Sequence, residues 1–102
     1  MDLQNLLKQA QKMQGSIKKI EEELTESEYT GTAGGNGVTV TIKGTFEITN
    51  INIEEDLLEK DNKEMLQDLI MVAVNQAVET ASKDRDEKMG AVTAGVKMPG
   101  MF

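Results

Sequence analysis

The stretch GGNGVTVTIKG, residues 34–44, decides the fold of this chain. Its Asn36-Gly37 pair is typical of the type I′ turn that joins two antiparallel strands. After the turn, Val38, Val40 and Ile42 alternate with two threonines and a lysine, which is the period of a strand with one buried face. The stretch therefore predicts a β-hairpin whose second strand sends three branched apolar side chains into a core.

A first strand and a third strand are predicted on either side of this segment. Residues 25–37 contain Thr, Tyr and Gly and indicate a short, irregular first strand that ends in the turn. Residues 45–53, TFEITNINI, indicate a third strand, but its apolar residues change parity between Ile48 and Ile51. Because alternate residues of a strand face opposite sides, we predict a β-bulge near Thr49-Asn50, with a strand buried on both faces as the alternative.

Two long helices are predicted to flank the strands. Over residues 2–26 the apolar residues repeat at spacings of three and four, a heptad pattern, and this stripe consists of Leu3, Leu6, Ala10, Met13, Ile17, Ile20 and Leu24. Residues 62–89 carry a second helical pattern. Asp61 and Glu64 suit a capping box at its start, and Gly90 is predicted to end it.

The element order α-β-β-β-α predicts one α+β domain over residues 1–102, with a three-stranded antiparallel sheet and two long helices. Residues 90–102 contain glycines and a proline and are predicted to form a flexible tail. The predicted core combines the apolar sides of two strands and the second helix, namely Val38, Val40, Ile42, Ile53, Leu66, Leu69, Ile70, Ala73 and Ala77.

The composition argues against catalysis. The chain has no cysteine, histidine or tryptophan, so it lacks thiolate nucleophiles, imidazole bases and the usual zinc ligands. The glycine-rich run at 31–37 precedes a strand, whereas a phosphate-binding loop opens a helix. The sequence therefore predicts a protein that is not an enzyme and has no cofactor or metal. Without a signal peptide or an apolar run of membrane-spanning length, it is expected to be cytoplasmic, with no membrane partner.

Charge is distributed unevenly along the chain. The formal net charge is −7, yet residues 1–20 carry +3 from four lysines and one aspartate, which leaves −10 for the rest. These lysines lie mainly on the side of the first helix that faces away from the apolar stripe. They can meet an external polyanion, or they can keep the helix in solution and pair with nearby glutamates.

Apolar residues exceed what one small domain can cover. LIMVAV, residues 69–74, is apolar without interruption, more than a helix with one buried face needs. The first helix would be about 36 Å long, too long for so small a domain to cover completely. A second copy can cover the excess, so the sequence predicts a two-fold symmetric homodimer.

Several stretches resemble one known family when they are taken in order. They are LLKQAQKMQ near the start, GGNGVTVTIKG, INIEEDLL and EMLQDLIMVAVNQA in the middle, and KMG and MPGMF toward the end. Together they resemble the YbaB/EbfC family of bacterial nucleoid-associated proteins over nearly the whole chain. Two features depart from the family pattern. Glu54-Glu55 stands in place of the usual aspartate-proline, and Gly15 stands where polar helix formers are usual.

The resemblance implies a homodimer with projecting helices. It also implies binding to double-stranded DNA with little sequence specificity, and a role in nucleoid organisation and gene regulation. From charge position we predict that DNA phosphates contact basic residues of both helices, namely Lys8, Lys12, Lys18, Lys19, Lys83, Arg85 and Lys88. The alternative function is a dimeric protein-interaction module with little DNA affinity, which docks other proteins through its helices and the MPGMF tail.

Overall fold

The computed structural model describes residues 2–94. In chain order it contains α1 (Leu3–Glu26), β1 (Glu28–Ala33), β2 (Val38–Lys43), β3 (Ile48–Ile53) and α2 (Lys63–Ala94). Two short 3₁₀ turns, Glu55–Leu57 and Lys60–Asn62, connect β3 to α2. The predicted α-β-β-β-α order and the α+β class are confirmed.

The first helix forms where the heptad pattern predicted it. Asp2 caps its first turn, because the carboxylate accepts a hydrogen bond from the backbone N–H of Gln4 at 3.1 Å. At the other end, the hydroxyl of Ser27 donates to the carbonyl oxygen of Glu23 at 2.7 Å. Local capping chemistry therefore sets both ends of α1.

The sheet is antiparallel with the strand order β1-β2-β3, as predicted. α2 packs over β1 and β2 on one face of this sheet. The apolar residues of β2 lie on that face and are fully buried, whereas the alternating threonines are only half-buried. The helix comes closest at Gly31, where a Cβ atom would lie 2.0 Å from the carbonyl oxygen of Ala73. Only glycine leaves room for this contact.

The β1–β2 turn differs from the prediction by one residue. The backbone N–H of Gly37 donates to the carbonyl oxygen of Gly34 at 3.1 Å, and the residues between them, Gly35 and Asn36, have φ angles of 61° and 74°. Two successive positive φ angles mark the centre of a type I′ turn. The predicted centre at Asn36-Gly37 was therefore wrong. Asparagine tolerates positive φ well enough to take the second central position, behind a glycine.

The third strand contains the predicted β-bulge. Thr41 pairs with Asn50 while Ile42 pairs with Ile48, so Thr49 has no partner on β2. The extra residue brings Ile48 to the same face as the later isoleucines of the strand. The alternative of a strand buried on both faces was wrong, because five of the six residues of β3 are exposed.

The core lies between the sheet and α2. Five of the predicted core residues are fully buried, namely Val38, Val40, Ile42, Ala73 and Ala77. The other four are partly buried and pack against this cluster, namely Ile53, Leu66, Leu69 and Ile70. The predicted set omitted three buried hydrophobic residues, namely Leu24, Ala33 and Ala81. The core prediction was therefore correct for the centre of the domain and incomplete at its margins.

The second helix is longer than predicted. Asp61 lies inside the 3₁₀ turn before Lys63 instead of at an N-cap, and α2 continues through Gly90 to Ala94. The predicted end at Gly90 was wrong, because a helical glycine costs only about 1 kcal/mol and half-buried neighbours offset this cost. Residues 90–94 of the predicted tail are therefore helical. The rest of that tail, including MPGMF, lies outside the described residues.

Neither helix, over the part of the chain that the structure describes, combines the length and the apolar character needed to cross a bilayer.

Candidate nucleic-acid interface

The N-terminal part of α1 projects from the rest of the protein. Exposure of its apolar stripe falls toward the sheet, from 72% at Leu3 and 43% at Leu6 to zero at Leu24. Leu24 is held against the β2–β3 turn at Gly44, where a Cβ atom would lie 2.3 Å from the carbonyl oxygen of Leu24. α1 is therefore anchored at its C-terminal end and free of the sheet at its N-terminal end.

The C-terminal end of α2 extends beyond the sheet and lies beside α1. The guanidinium group of Arg85 lies 3.9 Å from the carboxylate of Glu21, so the two helices run side by side at this point. We call residues 3–20 of α1 and 83–94 of α2 the arm, and the other described residues the body. The arm makes the protein elongated, with extents of 69 × 26 × 15 Å.

Four lysines of α1 give the arm a positive surface. Lys8, Lys12 and Lys19 lie on the side of the helix opposite the apolar stripe, with Lys18 beside them, and all four are exposed. We call these four residues the lysine face. Residues 3–20 contain no carboxylate, so this segment carries +4 and the remaining 84 residues carry −11. Among residues 2–94, the ion pairs lie elsewhere. The lysine face is therefore available to an external anion.

The three predicted contact residues of α2 have acidic neighbours. Arg85 pairs with a carboxylate of α1, and the ammonium group of Lys88 lies 3.2 Å from the carboxylate of Asp84. Lys83 is exposed, but it lines a shallow groove together with Glu79, Asp84 and Glu87. Residues 83–88 contain three basic and three acidic residues. The structure thus separates a positive side of the arm on α1 from a neutral side on α2.

Tyr29, Asp84 and Lys88 form a polar cluster where β1 meets the arm. The hydroxyl of Tyr29 donates a hydrogen bond to the carboxylate that pairs with Lys88. This hydrogen bond holds the pKa of Asp84 below its usual range, and Lys88 acts in the same direction. Burial, followed by the hydrogen bond to Asp84, raises the pKa of Tyr29. The spacing of Asp84 and Lys88 was visible in the sequence, but nothing in the pattern pointed to Tyr29.

We expect Tyr29→Phe to raise the pKa of Asp84 toward the ordinary aspartate value. Because the pKa is lowered in the folded state, the stabilisation from Asp84 is present above the unfolded-state pKa of about 4 and is lost as the pH falls through the folded-state value. The variant should therefore be less stable at neutral pH and should lose less of its stability in acid. Carboxyl NMR titration and urea unfolding across the acid range would measure both effects. An unchanged Asp84 titration would contradict this assignment.

The chemistry available to the arm is the binding of anions. Within residues 2–94, no three acidic side chains are grouped closely enough to hold a metal ion. The lysine face offers four exposed ammonium groups that take part in none of the ion pairs found among residues 2–94, and such groups bind phosphate oxygens. The body is acidic and lies to one side of it, so an extended polyanion can approach the arm without crossing the body.

Comparison with known proteins finds relatives along the whole chain. A nucleoid-associated protein from Clostridium novyi is 50% identical over 100% of this chain and 90% of its own length. Another, from Clostridium perfringens, is 43% identical over 99% of this chain and 90% of its own length. The crystal structure of an uncharacterized protein from Helicobacter pylori has a TM-score of 0.80 at 25% identity, covering 91% of this chain and 98% of that chain.

The two clostridial relatives carry the name nucleoid-associated protein, and the Helicobacter pylori structure shares the α+β fold of this chain. The chain belongs to the YbaB/EbfC DNA-binding family, whose model matches residues 1–96. The resemblance noted in the sequence is therefore confirmed. The family and the relatives are described as DNA-binding and nucleoid-associated, which agrees with the prediction of a protein that is not an enzyme.

Proposed function

We infer that this chain is a homodimeric nucleoid-associated protein that binds duplex DNA with little sequence specificity through the lysine face. The observation that carries this proposal is the charge of +4 on residues 3–20, which lie on an exposed helix that projects from an acidic body. Membership of a DNA-binding family supports DNA as the anion.

The spacing of the lysines suits a phosphate backbone. In a helix, Lys8 and Lys12 are about 6 Å apart along the axis, and Lys12 and Lys19 are about 10 Å apart. Successive ammonium groups on one side of the helix can therefore meet successive phosphates. Phosphates are the same at every base pair, so contacts of this kind position a protein without reading sequence.

The basic residues of α2 have a secondary part in this proposal. Lys83, Arg85 and Lys88 lie on the same arm, so they can add contacts once DNA is bound. Arg85 and Lys88 must first leave their carboxylate partners, which reduces what each can contribute. We therefore assign the main share of the affinity to α1.

The homodimer is supported by apolar surface that the protomer leaves uncovered. α2 covers β1 and β2, whereas Ile48 and Ile51 of β3 remain 45% and 44% exposed. On α2 itself, Met71 and Val72 are 58% and 55% exposed. In a two-fold symmetric dimer both copies use the same surface, so these residues would be buried in each protomer. The dimer would also carry two arms, which doubles the number of possible phosphate contacts.

We expect the thermal unfolding midpoint to rise with protein concentration. If unfolding is coupled to dissociation, mass action stabilises the dimer as the concentration increases. Differential scanning calorimetry from about 1 to about 100 μM would show the rise. Sedimentation should give a species of twice the 11.2 kDa protomer. A protein that sediments only as the protomer at micromolar concentration would show that this dimer does not exist.

Titration against duplex DNA at two salt concentrations tests DNA binding. If a dimer neutralises about four to eight phosphates, log affinity should fall against log salt with a slope of about −4 to −7. Duplexes of unrelated sequence should bind with similar affinity. If a folded dimer fails to bind any duplex even at low salt, the protein-interaction module becomes the better assignment.

The proposed activity places the protein on the nucleoid, in the cytoplasm of a bacterial cell. The names of its relatives support this location. A protein that covers DNA with little sequence preference changes the access of other proteins to it. Nucleoid organisation and gene regulation then follow from one physical activity.

A further inference from the structure

Gly15 interrupts a regular row of lysines along α1. Lys8, Lys12 and Lys19 follow one another at spacings of four and seven, and Gly15 lies three residues after Lys12 and four before Lys19. Residues three and four apart lie on the same side of a helix, so Gly15 lies between members of the lysine face. It is exposed like its neighbours, and the row lacks a side chain at this one position.

Neither backbone conformation nor packing within the protomer accounts for a glycine here. α1 is helical from Leu3 to Glu26, and the φ angle of Gly15 is not positive, unlike those of Gly34 and Gly35. A Cβ atom at position 15 would meet nothing within 4 Å, whereas one at Gly31 would overlap the backbone of α2. Glycine is the weakest helix former apart from proline. The helix by itself would therefore be more stable with almost any other residue at this position.

The missing side chain leaves bare backbone beside an ammonium group. Side chains of a helix lean toward its N-terminus, so the side chain of Lys19 extends over the turn that contains Gly15. Lys12 borders the other side of this gap, and residues 3–20 contain no carboxylate. An anion that binds between the two lysines can therefore lie closer to the helix axis at Gly15 than at any neighbouring position.

We propose that Gly15 is the point of closest approach between α1 and a DNA strand, whose phosphates bind Lys12 and Lys19 on either side of it. This inference rests on the DNA binding proposed above and adds a positioning residue that carries no charge. A side chain at position 15 would hold the strand away from the helix and draw a flanking ammonium group off its phosphate. DNA binding and helix stability thus place opposite demands on this position.

The test compares Gly15→Leu with Gly90→Leu, both in the full chain. Gly90 is a helical glycine on the α2 side of the arm, and a Cβ atom there would also meet nothing within 4 Å. Leucine favours helix and has no hydrogen-bond donor for a phosphate. In fluorescence anisotropy with a labelled duplex at about 0.1 M salt, Gly15→Leu should bind about tenfold more weakly for each arm on the DNA, the value of one phosphate contact. Gly15→Ala should lose less affinity, and Gly90→Leu should bind like the unmodified protein.

Two further readouts distinguish a positioning residue from a structural one. The slope of log affinity against log salt should become shallower by about 1 for each arm, although Gly15→Leu removes no charge. In urea, this variant should unfold at a higher denaturant concentration than the unmodified chain, because leucine is the better helix former. A residue that only supports the fold would not combine weaker DNA binding with higher stability.

The outcomes separate this inference from the proposed function. If the unmodified chain binds duplex DNA and Gly15→Leu binds equally well, Gly15 is not a point of close approach, while the proposed DNA binding stands. If the unmodified chain binds no duplex, both proposals fail. Equal losses of affinity in Gly15→Leu and Gly90→Leu, or a loss without a change in the salt slope, would also overturn the role of Gly15.

Discussion

Affinity for duplex DNA should fall about 100-fold at about 0.1 M salt when Lys8, Lys12 and Lys19 are all changed to glutamine. Each phosphate contact releases counterions, and one contact is worth close to tenfold in affinity at this salt concentration. A dimer loses six lysines in this variant, so the estimate assumes that only some of them touch phosphate at once. The salt dependence should flatten together with the affinity, and all duplex sequences should be affected alike.

A matched control separates a local effect from a general change in charge. Lys43, Lys60 and Lys63 lie on the body, and changing all three to glutamine removes the same charge from each protomer. This body variant should bind DNA with nearly the affinity and salt slope of the unmodified protein. Fluorescence anisotropy with a labelled duplex, over a series of salt concentrations, would measure both variants. If the two variants lose affinity equally, the lysine face is not the site, and DNA binding depends on net charge alone.

Gly31→Ala should destabilise the protein by about 3 kcal/mol or more. The added Cβ atom would lie 2.0 Å from the carbonyl oxygen of Ala73 and 2.6 Å from the backbone nitrogen of Ala77. Both neighbours are backbone atoms in the middle of α2, so no side-chain rotation can relieve the overlap. The helix must move away from the sheet along its most closely packed section. In a protein whose total stability is about 5 to 15 kcal/mol, this is a large fraction.

Gly15→Ala is the matched control for this substitution. A Cβ atom at Gly15 would meet nothing within 4 Å, and the residue lies inside α1. Replacing a helical glycine by alanine at an open position should stabilise the protein by about 1 kcal/mol. Urea unfolding at one protein concentration would compare both variants with the unmodified chain. Equal effects of the two substitutions would show that the close approach at Gly31 does not limit packing.

The sequence alone was sufficient to predict the elements of this fold, because their signals are local. The heptad stripe placed α1 within one residue of its observed start, at Leu3. The alternation in β2 identified its buried face, and the change of parity in β3 located the bulge at Thr49. Helical and strand periods depend on neighbouring residues only, so they can be read without knowledge of the fold.

The candidate site was only partly predictable. The positive charge of residues 1–20 is a property of the sequence, and the structure places its lysines on one exposed face. The sequence could not separate these lysines from the basic residues of α2. Arg85 meets Glu21 only because the two helices leave the sheet together, and Tyr29 reaches Asp84 across 55 residues. Counting charges along a segment does not show which of them already have partners.

The amino-acid sequence by itself determined the helices, the strands, the bulge and the basic segment, since periodicity and composition specify each of them. Only the tertiary structure decided how far α2 extends, which end of α1 is anchored and which basic residues remain unpaired. These features depend on contacts between distant segments, such as the approach of Gly44 to Leu24. The free energy of such contacts comes from packing and pairing across the fold. No local pattern in the sequence predicts these long-range contacts.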